Sequence, residues 1–170
     1  MEHEEVIYYC DESPKTKEKW YLILTEAFSK ADAIGFNVHN KENEFWQLDS
    51  ELIEKNVSKR RIYNSGRDFY LYKPSNKVKT IVQSKDFLYW ALGTFEDISF
   101  WEDGVEIFST ISHENYLIAR LTSEQRNHWN NLGFDFAFDW GTDPSEEFEN
   151  ESSISLIDRL KKLVGIKNTS

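Results

Sequence analysis

Two alternating runs meet at Asp103-Gly104 in "FEDISFWEDGVEIFSTI", and no other stretch limits the possible folds as tightly. Asp-Gly favours a two-residue type I′ turn, because both central residues need positive φ. Closing that turn pairs Glu102 with Val105, Trp101 with Glu106, Phe100 with Ile107 and Ser99 with Phe108. Opposed residues share a face. Ile98, Phe100, Val105 and Ile107 therefore make one face, continued by Ile111, and this is the expected core side. Asp97, Trp101, Glu106, Phe108 and Thr110 share the other face. A slip of one residue would exchange the two faces. An antiparallel sheet is the consequence in either register.

The flanking sequence adds helices and further strands. Residues 4–10 are β-prone, and residues 33–38 read as a second strand. Between them Trp20, Ile23, Leu24, Ala27, Phe28 and Ala31 recur with a 3.6-residue period, which predicts an amphipathic helix over 16–31. Residues 45–53 fit either a strand ending at Leu48 or a short helix capped by Asp49 or Ser50. "DFYLY" (68–72) and the β-branched "KVKTIV" (77–82) read as a hairpin joined by "KPSN". The apolar run "SKDFLYWALGTF" fits a strand or a buried helix equally. Residues 115–121 extend the central hairpin into a meander. Thr122 and Gln125 form a capping box opening a helix that Gly133 ends. "FDFAFDW" (134–140) alternates as an edge strand, with Phe134, Phe136, Phe138 and Trp140 on one face. A last helix is expected over 154–164, stopped by Gly165. The fold class is α+β: one domain over 1–170, mainly antiparallel sheet, with N-terminal and C-terminal amphipathic helices packed on it. An acidic loop, 141–153, interrupts it.

A chain of 170 residues, 39% hydrophobic, is long enough for one packed core. Its 12 Phe, 8 Tyr and 6 Trp exceed what a small core needs, so part of that surface is expected at a partner. Cys10 is the only cysteine, which removes any intramolecular disulfide and any cysteine zinc site. The acidic N-terminus is no secretory signal, and no run of about 18 apolar residues marks a membrane span. The expected location is cytoplasmic, with no membrane contact.

Charge is sorted along the chain. Residues 52–85 hold 2 acids and 9 bases, whereas residues 86–151 hold 15 acids with only Arg120 and Arg126 opposing them. The whole carries −10. Such a balance repels nucleic-acid phosphates and anionic lipid, and favours a basic partner. The basic stretch, despite Tyr63, Phe69, Tyr70 and Tyr72, is expected to neutralise the acidic part rather than bind nucleic acid.

Motifs for chemistry are missing. His3, His39, His113 and His128 have no H-E-x-x-H or similar metal spacing, and no EF-hand loop occurs. No phosphate-binding glycine loop and no G-x-S-x-G elbow appear. Cys10 reads as a small buried hydrophobe. No catalytic residue, metal or cofactor is therefore expected.

Two stretches combine aromatics with acids. In the hairpin these are Asp97, Trp101, Glu102, Asp103, Glu106 and Phe108. In "FDFAFDWGTDPSEEFE" they are Asp135, Asp139, Trp140, Asp143, Glu146 and Glu147. Either a helix covers Trp101 and Phe108, or they form a docking patch of aromatic anchors ringed by charge. In these stretches and in its charge pattern the chain resembles immunity proteins of bacterial toxin systems. The resemblance implies a non-enzymatic inhibitor that blocks a basic toxin or nuclease through charge-steered association. Alternatives are an acidic DNA mimic or adaptor, and an enzyme in which carboxylates converge with His113.

Overall fold

The computed structural model describes residues 6–11, 16–38, 46–55, 68–91 and 95–141. Along them run the strands β1 (Val6–Asp11), β2 (Ala33–Val38), β3 (Leu52–Lys55) and β4 (Asp68–Tyr72). Then follow β5 (Phe95–Glu102), β6 (Val105–Ile111), β7 (Tyr116–Thr122) and β8 (Phe138–Gly141). They form one sheet in the order β3-β4-β2-β5-β6-β7-β1-β8, and every neighbouring pair is antiparallel. Helices α1 (Lys17–Lys30), α2 (Asn76–Gln83) and α3 (Ser123–Asn131) complete an α+β architecture. The expected helix over 154–164 lies outside the described residues, as does most of loop 141–153.

Local signals explain the helices. Thr16 caps α1 by accepting from the Lys19 amide, and the predicted stripe Trp20, Ile23, Leu24, Ala27 and Phe28 is buried. The Thr122–Gln125 capping box forms in both directions at the start of α3. Gly133 follows α3 with φ 91°, a conformation that costs glycine little. The ambiguous region resolves as a 3-10 helix, Trp46–Glu51, leading into β3, and Phe87–Ala91 is a second short 3-10 turn.

Two expected strands fail, one wholly and one in part. Residues 77–82 are helical, not a strand, so no hairpin joins them to β4. Ser75 caps α2 by accepting from the Val78 amide, and Val78 and Val82, four apart, both enter the core. Packing of that i, i+4 pair outweighs the weak strand preference of β-branched residues. The run 134–140 is strand only from Phe138 onward. Before it, Phe134 and Phe136 stack with centroids 5.6 Å apart inside the core. The Phe136 amide donates to Asn130 Oδ1, and its carbonyl accepts from Arg126, which ties this segment to α3.

The central turn forms as expected, with Asp103 at φ 52° and Gly104 at φ 75°. Glu102 faces Val105, and Trp101 faces Glu106. The next pair is Phe100 with Phe108, because Ile107 is an extra residue on β6. This bulge turns Phe108 to the same side as Phe100, against the predicted register. The opposite edge of β5 has a second bulge, between the pairs Gly35–Ser99 and Asn37–Glu96. There Asp97 adopts the left-handed conformation, φ 49°.

The sheet therefore has two unlike faces. The first carries Ile34, Phe36, Val38, Tyr72, Phe95, Ile98, Phe100, Phe108, Leu117 and Ala119, packed with buried residues of all three helices. Aromatic rings meet mostly edge-on there, as Phe28 does with Phe100 at 5.3 Å. The second face has a small apolar cluster, Ala33, Phe69, Leu71 and Trp101. Beside it lie Asn37, Glu96, Asp97, Ser99, Glu106 and Ser109, all buried.

Candidate functional site

The hairpin residues proposed for partner contact separate into two groups. Asp97, Trp101, Glu106 and Phe108 are buried, at 0, 2, 1 and 3% exposure, so the folded chain presents none of them to a partner. Trp101 lies against Phe69 on the second face, centroids 6.1 Å apart, and its indole N–H donates to Ser99 Oγ at 2.8 Å. Phe108 packs edge-on against Trp129 at 6.2 Å on the first face. Glu102 and Asp103, at the turn, are exposed, and so is Asp135. Asp139 and Trp140 belong to β8, where Asp139 pairs with Tyr9 of β1. Asp143, Glu146 and Glu147 lie outside the described residues.

An open groove of about 570 Å³ runs between α1, α3 and the strands β5, β6 and β7. Ile107, Phe108, Leu121 and Trp129 are its apolar residues of lowest exposure. Leu22 from α1 and Leu132 after α3 also line it and are 39 and 45% exposed. The ionisable lining consists of Glu26, Lys30, Glu102, Arg120, Glu124 and His128. Lys30 is held by Glu26 at 2.7 Å, one helical turn away. The groove is thus of mixed character, an apolar floor with polar and charged side chains around it.

One end of the groove is an acidic corner. Glu102 lines the groove, and the next residue, Asp103, donates its amide to the Asp32 carboxylate at 2.8 Å. The Asp32 amide in turn donates to the Trp101 carbonyl. Asp32, Glu102 and Asp103 are thus brought together at the exposed hairpin tip. Asp32 and Glu124 had no place in the sequence reading. Their separation from Glu102 in the chain gives no local pattern to recognise.

Ionisable groups converge a second time at the other end of β5. Asp97 accepts from Asn37 Nδ2 at 3.0 Å and from the Ser112 amide at 2.8 Å. The second bond pins the 3-10 turn Ser112–Glu114 against β5. One ligand atom each from Glu96, Asp97 and His113 then lies within 4.8 Å of the others. His113 Nε2 is 3.8 Å from the Glu114 carboxylate. Burial, with a smaller push from Asp97, raises the Glu114 pKa above the ordinary carboxylate value, while His113 opposes the rise. Elsewhere, burial pushes the Tyr72 phenol well up, helped by Asp49 and Tyr70.

No family model, curated protein or solved structure matches the chain. Among the described residues no helix is long and apolar enough to cross a membrane.

Proposed function

We propose that the chain is a non-enzymatic, cytoplasmic binding module that captures a basic protein, in the manner of an immunity protein blocking a toxin or nuclease. The observation that carries this reading is the acidic corner of Asp32, Glu102 and Asp103, whose Glu102 lines an open groove of mixed apolar and polar lining. A cationic side chain meets the corner while an adjacent apolar side chain enters between Leu22 and Leu132. The contact surface differs from the one expected from sequence: the groove takes the place of the buried Trp101 side of the hairpin. The net charge of −10 adds long-range steering. A DNA mimic needs rows of exposed carboxylates, and Glu96, Asp97 and Glu106 of the hairpin strands are buried.

The test uses the full chain as bait in extracts of its source cells, followed by purification of the captured protein and measurement of association kinetics. The side chains of Glu102 and Glu124 are exposed and make no hydrogen bond or ion pair among the described residues, so reversing their charge should leave the fold intact. Glu102→Lys with Glu124→Lys should slow association by about tenfold at low salt and flatten its salt dependence. Leu22→Ala should quicken dissociation. A basic partner indifferent to all three substitutions refutes the groove. The lack of any basic partner refutes the reading as a whole.

A further inference from the structure

We propose that the second face of the sheet is a docking surface for this chain's own residues 154–164, which lie across it as a basic amphipathic helix. Opposed residues share a face, so Leu71, Gly35, Ser99, Ser109 and Ile118 form one row across β4, β2, β5, β6 and β7. All five are buried, and so are Phe69 and Trp101 beside them. Yet among the described residues the buried side chains of α1, α2 and α3 all belong to the cluster on the first face. None of them joins Ala33, Phe69, Leu71 and Trp101. Side chains stand roughly perpendicular to a sheet, so a face without a second layer would leave this row in water. Its cover therefore comes from residues outside those described.

Sequence, reach and charge pick one occupant. The short stretches 1–5, 12–15, 39–45 and 92–94 hold at most one large apolar residue each. Residues 56–67 offer Val57, Ile62 and Tyr63, at no helical repeat. Residues 154–164 carry Ile154, Ile157, Leu160, Leu163 and Val164 as one stripe. A helix of that length runs about 16 Å, close to the roughly 19 Å that five neighbouring strands span. β8 ends at Gly141 on the edge of the sheet, four strand spacings from β5. Residues 142–153, when extended, reach about 40 Å, twice what that crossing needs. The charges agree in sign. The buried charged residues among those described are Glu96, Asp97 and Glu106, all acids. Residues 152–170 oppose Asp158 with Arg159, Lys161, Lys162 and Lys167. The stripe makes the contact and opposite charge favours the approach, so no carboxylate of the face has to give up a bond it already makes. This inference is independent of the groove, whose floor of Phe108, Leu121 and Trp129 belongs to the first face.

The experiment uses the full chain throughout. In one arm the photoreactive residue benzoylphenylalanine replaces Leu160, and its adducts are mapped by mass spectrometry after irradiation of dilute protein. Adducts are expected on β4, β5 or β6 of the same chain. In the other arm, hydrogen exchange of the unaltered chain should show the amides of 154–164 slowed by about a hundredfold or more against an unstructured peptide. Leu160→Asp should return them to nearly unstructured rates, whereas Lys162→Glu, on the side away from the stripe, should not. The photoreactive probe and the unaltered chain decide the matter if Leu160→Asp fails to fold. Adducts on α1 or α3 overturn the proposal, because the segment then occupies the groove. Adducts only between chains, or none on the second face, overturn it as well, and so do unprotected amides over 154–164. Adducts on the second face from the same probe at Ile62, with none from Leu160, would assign the cover to residues 56–67 instead.

Discussion

On the helix-covered face of the sheet, Phe36 packs within 5.3–5.8 Å of Trp90, Phe95 and Tyr72. On the opposite face its neighbours Gly35 and Asn37 pair with Ser99 and Glu96. Both faces are closed to solvent around β2 and β5, yet they are held by different forces. The first face is filled by rings whose burial is non-directional, and volume decides their fit. The second depends on directed bonds, such as Trp101 to Ser99 and Asn37 to Asp97, each of which fixes one geometry. Rings fill the space behind the groove. Polar bonds hold the bulge on which Asp97 and His113 meet.

Adjacent residues give the sharpest test of this contrast. Phe36→Ala empties a ring-sized volume on the first face and should cost about 3–5 kcal/mol in chemical denaturation. Gly35→Ala does the reverse on the second face. A Cβ there would collide with Phe69 Cζ and lie 2.7 Å from Ser99 Oγ. The expected loss is about 1–3 kcal/mol, from overpacking. A harmless Gly35→Ala would mean that the second face is loosely filled, and the contrast would fail.

Two serines paired across β5 and β6 extend the test. Ser99→Ala removes the acceptor of the buried Trp101 indole N–H and should cost about 1–3 kcal/mol. Among the described residues Ser109 Oγ is buried without a hydrogen-bond partner, so Ser109→Ala should stabilise the chain by up to about 1 kcal/mol. Equal losses at both positions would show that direction matters less on this face than volume.

The smallest effect is confined to alkaline solution. Because the folded state raises the Tyr72 pKa, it binds that proton more tightly than the unfolded chain does. The resulting stability is complete below the ordinary tyrosine value, about 10, and is lost as pH rises above it. Tyr72→Phe should therefore shift base-induced unfolding, followed by tryptophan fluorescence, to higher pH while leaving neutral stability nearly unchanged. An unchanged alkaline midpoint would show that Tyr72 is not as deeply sealed in the first face as its neighbours.

What was legible from the residues follows distance along the chain. The stripe from Trp20 to Phe28, the Thr122–Gln125 box and the Asp103-Gly104 turn are each settled within a few residues, and each formed as read. Charge and aromatic content gave the expectation of a partner and a surface for it, of which Asp97, Trp101, Glu106 and Phe108 proved buried. Alternation set Trp101 and Phe108 among acids on the face away from the expected core, which left a covering helix and a docking patch equally open, and folding buried both.

By itself the sequence determined an antiparallel α+β domain and its local helix and turn signals, because helical period, caps and Asp-Gly act over one or two turns of chain. Tertiary structure alone decided which way Phe108 points, since one bulge residue reverses every face beyond it. It also decided that Val78 and Val82 join a helix, and that Asp32 stands beside Asp103 and His113 beside Asp97. Those choices depend on contacts between distant segments, whose energies no local pattern contains.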